Sequence, residues 1–171
     1  MSLEVSSLRA LAHPVRLRML SLLTGVAMSA ADLARELGVS QANASYHLRA
    51  LAAARLVTAA GEVRVRGGVA KRYRYEVDGQ APPAADVASE PLFAQALAAE
   101  LVRRSRLRRT GASGISTDAE LWVDPTTWDE VRTRMTAASK QLHHAARPPR
   151  TAGTVRLSVT VAAFEMADEA L

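Results

Sequence analysis

The chain has 171 residues, of which 49% are hydrophobic, and it carries 22 Lys and Arg against 17 Asp and Glu, a formal net charge of +5. This apolar content is enough for a packed core and excludes a wholly disordered chain. No apolar run approaches the roughly 20 residues that span a bilayer, and the start of the chain lacks the features of a secretory signal. The absence of Cys excludes disulfides, thiolate nucleophiles and sulfur-ligated metals. We therefore expect a cytoplasmic protein.

The charge is unevenly distributed along the chain. Residues 1–80 hold 11 basic and 6 acidic side chains, whereas residues 81–171 hold 11 of each. The boundary falls in a stretch from Asp78 to Pro91 that is rich in Pro, Ala and Asp and is typical of a linker. At about 100–200 residues per domain, the length allows one domain or two small ones. We therefore predict two units, residues 1–80 and residues 81–171.

The first unit opens with two predicted helices. Val5, Leu8 and Leu11 lie at helical spacing. Pro14 suits the first turn of a second helix, because its missing N–H would have no partner there. Gly25 is typical of the end of such a helix.

Two further helices are predicted on either side of a tight turn. Ser29 is a capping residue, and Asp32 three positions later completes a weak capping box for a helix that ends at Gly38. Ser40 caps the next helix, which runs to about Ala54. Two helices joined by a short turn that contains Gly form a helix-turn-helix.

The second of these helices has a core face and an exposed face. A step of about 100° per residue places Ala44, Leu48 and Leu51 together on the core side. The rest of its surface is small or polar and offers hydrogen-bond donors, as a helix in the major groove of DNA requires. The exposed positions are Gln41, Ala42, Asn43, Ser45, Tyr46, Arg49 and Ala53. A purely structural pair of helices is the alternative.

Residues 56–77 predict a two-stranded hairpin around Gly67 and Gly68. Valines and tyrosines alternate with basic side chains, which predicts one apolar or aromatic face and one mostly Arg face. Arg binds phosphate through two parallel hydrogen bonds, so we favour contact with the DNA backbone over a merely solvated face. The basic residues of the hairpin are Arg64, Arg66, Lys71, Arg72 and Arg74.

Three stretches within residues 5–78 resemble the arsenical-repressor (ArsR) family of winged-helix regulators. They are AHPVRLRML at residues 12–20, DLARELGVSQ at residues 32–41 and SYHLRAL at residues 45–51. The resemblance implies a bacterial homodimer that binds an operator palindrome in double-stranded DNA and often represses transcription. By motif position it implies that the DNA interface includes Ser40, Gln41, Ala42, Ser45, Tyr46, His47 and Arg49. His47 either packs against the scaffold or reaches a phosphate.

Neither a metal site nor a catalytic site is predicted. Many members of this family sense metals through Cys or through clusters of Asp and His, but this chain has no Cys, and the adjacent His143 and His144 point about 100° apart on a helix. Asp118, Glu120 and Asp124 are close in sequence, without a His base, a nucleophile motif or phosphate-binding glycines. We expect no cofactor and no enzymatic activity.

The second unit is predicted as a helix followed by a strand, a helix and a strand. The first helix runs from Pro91 to about Arg109, and we assign its basic end to solvated side chains that complement the helix dipole. Residues 119–123 and 155–161 alternate as strands, and Asp124 caps the helix between them. This α/β extension resembles those of some actinobacterial regulators of the same family, and it serves either dimerisation or the binding of a small-molecule effector.

The whole pattern predicts a mainly α protein with small β content, in which a winged helix-turn-helix domain precedes a small α/β extension. Three aromatic residues of the extension, Trp122, Trp128 and Phe164, are predicted to pack in its core, with the walls of an effector pocket as the alternative. We expect a sequence-specific, dimeric DNA-binding regulator, and we favour a repressor over an activator. The alternative is a nonspecific architectural protein that binds nucleic acid.

Overall fold

The computed structural model describes residues 7–65, 68–78 and 89–167, and it has the predicted fold class of a winged helix-turn-helix with a C-terminal extension. Val5, Arg66, Gly67 and most of the predicted linker lie outside the described residues. Within these ranges no helix is both long and apolar enough to cross a membrane. The helices are α1 (Ser7–Leu11), α2 (Pro14–Gly25), α3 (Ala30–Leu37), α4 (Gln41–Ala53), α5 (Glu90–Ser105) and α6 (Pro125–His144); the strands are β1 (Met28–Ser29), β2 (Thr58–Val65) and β3 (Gly68–Arg74).

Local hydrogen bonds fix the ends of the two helices of the helix-turn-helix where the sequence predicts them. The Ser29 hydroxyl accepts from the backbone N–H of Asp32, and the Asp32 carboxylate accepts from the backbone N–H of Ser29 at 3.0 Å, so α3 begins with a complete capping box. Gly38 ends α3 in the left-handed conformation, at φ 67°. Ser40 then caps α4 by accepting from the N–H of Asn43 at 3.2 Å.

The core lies beneath the two helices of this motif. Ala44 and Leu51 of α4 are fully buried, and Leu48 is nearly so, as the predicted core face requires. They pack in one cluster with Leu33 of α3 and Met19 of α2. Burying a side chain of the size of Leu or Met contributes about 1.5–3 kcal/mol, so this cluster holds α4 firmly against the scaffold.

The hairpin belongs to a three-stranded antiparallel sheet in the order β1-β3-β2. The two-residue strand β1, which the sequence pattern does not predict, pairs Met28 with Tyr73 and Ser29 with Arg72. The backbone N–H of Tyr75 also donates to the carbonyl of Leu23 in α2. These bonds anchor the base of the hairpin to the helices.

The predicted division of the hairpin into an apolar face and an Arg face is wrong. Val65 pairs with Gly68 and Val63 with Ala70, so alternation from Ala70 puts Arg72 and Arg74 on the valine side. Only two residues separate Val65 from Gly68, and this short connection sets a register one residue away from the one that would align valines with tyrosines. Val63 and Val65 stay exposed, at 38% and 46%.

The two predicted strands of the extension do not form ladders. No regular secondary structure forms at residues 119–123 or 155–161. The sheet of the described residues contains only β1, β2 and β3, so neither segment has a strand partner. The helix between them does form, and the Asp124 carboxylate caps it by accepting from the N–H of Thr127 at 2.9 Å. None of the residues of α6 is buried. The prediction of core packing is also wrong for Trp122 and Phe164, which are 92% and 74% exposed.

The extension joins the winged helix through α5, which packs against α1 and α2 and buries Ala96, and through polar contacts and one close approach further along the chain. His144 Nε2 lies 2.6 Å from a carboxylate oxygen of Asp78, and Arg150 pairs with Glu36 of α3. The backbone of Arg147 passes so close to Gly25 that a Cβ atom there would lie 2.5 Å from the Arg147 carbonyl oxygen. Gly25 therefore leaves room for the returning chain as well as ending α2.

We expect Gly25→Ala to destabilise the protein by about 1–3 kcal/mol, because the added methyl group meets backbone that has to move. Chemical denaturation measures this loss. Gly114→Ala is the matched control, since its Cβ would meet only the flexible end of Arg108 at 3.4 Å. Equal stability of the two variants would mean that the segment after α6 does not pack against α2 in solution.

Candidate nucleic-acid interface

The exposed side of α4 carries the predicted base-reading residues. Its first turn and outward face are open to solvent, and Tyr46 is 61% exposed. Arg49 is held along the helix, because its Nε donates to the carbonyl of Ser45 at 3.3 Å. Six predicted residues are exposed, namely Ser40, Gln41, Ala42, Asn43, Tyr46 and Arg49, and Ser45 is half-buried.

His47 lies on the inner side of α4, away from this surface. It is only 6% exposed, and its ring centroid lies 4.4 Å from that of His13, the residue that precedes α2. Of the two alternatives for His47, packing against the scaffold is therefore the one that the structure shows. Sequence reasoning did not connect His13 with His47, because 33 residues separate the two and only the crossing of the helices brings them together.

The buried imidazole of His47 and the half-buried imidazole of His13 form a pair whose neutral form is favoured. Burial lowers the pKa of His13, and the nearby Arg16 guanidinium lowers it further. Burial also lowers the pKa of His47, with His13 and Arg16 as further causes. His13 Nδ1 accepts from the N–H of Val15 at 3.2 Å and so caps α2, a role that requires this nitrogen to be unprotonated. His47 Nδ1 is buried without a hydrogen-bond partner among the described residues.

The hairpin presents fewer free cations than its composition suggests. The Arg72 guanidinium donates to the carbonyl of Ala27 and so turns back to the scaffold. Lys71 is the direct cross-strand partner of Glu62, whose negative charge offsets part of the positive charge of the hairpin. Arg64 and Arg74 are exposed, opposite Val69 and Thr58 respectively. Arg66 is the remaining predicted contact, and it lies outside the described residues.

The site offers hydrogen-bond donors and positive charge to an anionic partner. In the described part of the chain, no group of three or more His, Asp or Glu side chains could hold a metal ion. The α4 surface and the hairpin cations can instead provide base-edge contacts and phosphate contacts, the two kinds that a protein–DNA interface combines.

These features define a winged helix-turn-helix protein. Comparison with protein families agrees, because a model described as a helix-turn-helix domain matches residues 11–59, which include α2, α3 and α4. A search among curated proteins finds no significant match. The helix-turn-helix domain indicates a DNA-binding regulator, with DNA as its partner.

The imidazole pair of His13 and His47 predicts that acid destabilises the protein. Because both pKa values are lowered by folding, the unfolded chain binds more protons once the pH falls below the ordinary value of 6.5, and the free energy of unfolding decreases from there downwards. Urea denaturation between pH 7.5 and pH 5 measures the decrease. The double variant His13→Asn, His47→Gln keeps a cap on α2 without titrating, so we expect a shallower pH dependence. An unchanged slope would show that the pair does not titrate within this fold.

Proposed function

We propose that the chain is a sequence-specific, dimeric transcriptional regulator of the ArsR type, which represses by occluding a promoter. The observation that carries the proposal is the placement of α4. Its polar first turn, Tyr46 and Arg49 are exposed, while Ala44, Leu48 and Leu51 fix the opposite side in the core. A rigid helix with this surface suits insertion into the major groove.

The dimensions of α4 support this role. Its 13 residues are about 20 Å long, at about 1.5 Å per residue, and the major groove is about 12 Å wide, enough to admit a helix. The Ser40 hydroxyl accepts from the N–H of Asn43, and the N–H groups at the start of a helix, which have no partner within it, can bind a backbone phosphate. Gln41 and Arg49 carry side chains that form paired hydrogen bonds with adenine and guanine edges, respectively.

The hairpin acts as the wing in this proposal. Arg64, Arg74 and Lys71 bind the phosphate backbone beside the groove, and Arg72 braces the wing against the scaffold through the Ala27 carbonyl. Phosphate contacts set the position of the protein on DNA, whereas α4 selects the sequence. Two copies related by a two-fold axis place two such helices on the half-sites of a palindrome.

Competition binding tests the central claim. We expect the protein to prefer DNA from upstream of its own gene by at least about 10³-fold over random duplex at the same salt concentration. Footprinting on the same DNA should protect two half-sites in successive major grooves. Equal affinity for both duplexes would contradict the proposal and support the nonspecific architectural protein instead.

The base-reading role predicts a loss of discrimination in α4 variants. Gln41→Ala or Arg49→Ala should reduce the preference for operator over scrambled DNA by about 1–3 kcal/mol, the value of one good base contact. Fluorescence anisotropy with both duplexes measures it. Arg134→Ala is the matched control, because it removes an exposed Arg of α6 far from α4 in sequence. If the α4 variants lost affinity equally for both duplexes, these side chains would not read bases.

Variants of the wing are expected to change the overall affinity for DNA and its salt dependence rather than the discrimination between sequences. Arg64→Ala and Arg74→Ala should weaken binding to every duplex and reduce the slope of log K against log salt by about one unit each, because each removes one phosphate contact. Arg72→Ala is the control within the same strand, since its guanidinium is engaged by the Ala27 carbonyl, and it should change the slope less. Identical salt slopes in Arg74→Ala and the unmodified protein would refute the wing contact.

A further inference from the structure

Two segments of the C-terminal extension that form neither helix nor strand expose an unusual amount of apolar surface. We call residues 119–123 the leading segment and residues 155–161 the trailing segment. Most of their large apolar side chains are more than half exposed, and nearby Phe164 is 74% exposed. The side chains concerned are Leu121, Trp122, Val123, Val155, Leu157, Val159 and Val161.

The main chain of both segments also lacks backbone hydrogen-bond partners among the described residues. In the residues that the structure describes, the backbone N–H groups of neither segment donate to another backbone group. A segment whose backbone N–H groups have no backbone partner and whose apolar side chains alternate in sequence can pair with another strand. Both segments therefore have the chemistry of strands and lack the partner.

Polar contacts already hold the trailing segment in position. The Arg104 guanidinium of α5 donates to the carbonyl of Val159 at 3.2 Å and to the hydroxyl of Thr160 at 3.0 Å. Arg104 is itself fixed beside the buried carboxylate of Glu100. Further along, the Trp128 indole N–H donates to Glu165 at 2.9 Å. These contacts order the segment while leaving its apolar side chains uncovered, so the ordering cost of binding a partner is reduced.

We propose that a second copy of this chain covers these segments, with the trailing segment of each copy pairing with the leading segment of the other. The charges favour pairing of a leading segment with a trailing segment over pairing of two leading or two trailing segments. Asp118, Glu120 and Asp124 make the leading segment and its flanks acidic, whereas Arg156 is the charged residue of the trailing segment. Opposite charges across paired strands stabilise the pairing, and like charges oppose it.

The exposed area is also sufficient for a stable dimer. A monomer rarely exposes a contiguous apolar patch above about 300–600 Å², and one large aromatic side chain buries about 150–250 Å². Trp122, Phe164 and the aliphatic side chains of the two segments together expose apolar surface of the order that a standard interface buries, roughly 800 Å² per partner. A two-fold axis repeats the exchange, so both open segments of both copies are paired and the assembly closes.

Single-cysteine variants test the pairing directly, since the chain has no Cys of its own. A variant with one Cys cannot form a disulfide within its own chain. We expect mild oxidation of a mixture of Leu121→Cys with Leu157→Cys or Val159→Cys, the two carrying tags of different size, to give mainly the mixed disulfide. Ile115→Cys is the control, because this residue is fully exposed and outside both segments. Cross-linking no faster than the control would overturn the proposal, as would exclusive linkage of like with like.

Sedimentation equilibrium gives an independent measure on the full chain. The unmodified protein should have the mass of two chains at micromolar concentration, and Leu157→Ser with Val159→Ser should raise the dimer dissociation constant by at least roughly tenfold. Arg156→Glu should weaken the dimer, and adding Glu120→Arg should restore it. A monomeric protein, or a dimer indifferent to all these changes, would refute the interface. The inference rests on the dimer of the proposed function, so a monomer would contradict both. A dimer indifferent to these changes would refute this interface alone, and the preference for operator DNA is measured separately.

Discussion

Ser29 joins the two parts of the candidate DNA interface at one buried position. Its side chain and backbone N–H complete the capping box with Asp32 that begins α3, while its place in β1 pairs it with Arg72 of the wing strand. The residue itself is 3% exposed. Since α3 in turn packs against α4, this junction ties the reading helix to the wing, together with the pairing of Met28 with Tyr73 and the bond from Tyr75 to Leu23.

Local signals were sufficient to predict the helix-turn-helix. The caps at Ser29 and Ser40 and the left-handed glycine at Gly38 act within three or four residues, and the burial of Ala44 follows from helical periodicity alone. The same reasoning identified the exposed residues of α4, whose assignment as DNA contacts stays a prediction. It could not resolve His47, because the side chain that His47 packs against, His13, lies far away in sequence, just before α2.

In the wing and the extension, the alternation of side chains does not determine the strand register or the strand partner. Alternation predicted strands correctly in the hairpin, but the face on which each Arg lies depends on a register that a two-residue connection shifts by one. In residues 119–123 and 155–161 the same alternation predicted strands that the structure does not form. Alternation indicates an extended segment with one apolar side, whereas a strand also requires an edge to pair with, and the described chain supplies none.

The sequence by itself determined the order of the helices, their caps, the turn between α3 and α4, and the chemical character of the exposed face of α4, because all of these arise from contacts between near neighbours in the chain. The tertiary structure alone decided three things: that His47 is buried against His13, that Arg72 faces the scaffold, and that the apolar segments of the extension remain uncovered. Each depends on which distant segments meet, and packing of the whole chain sets those meetings.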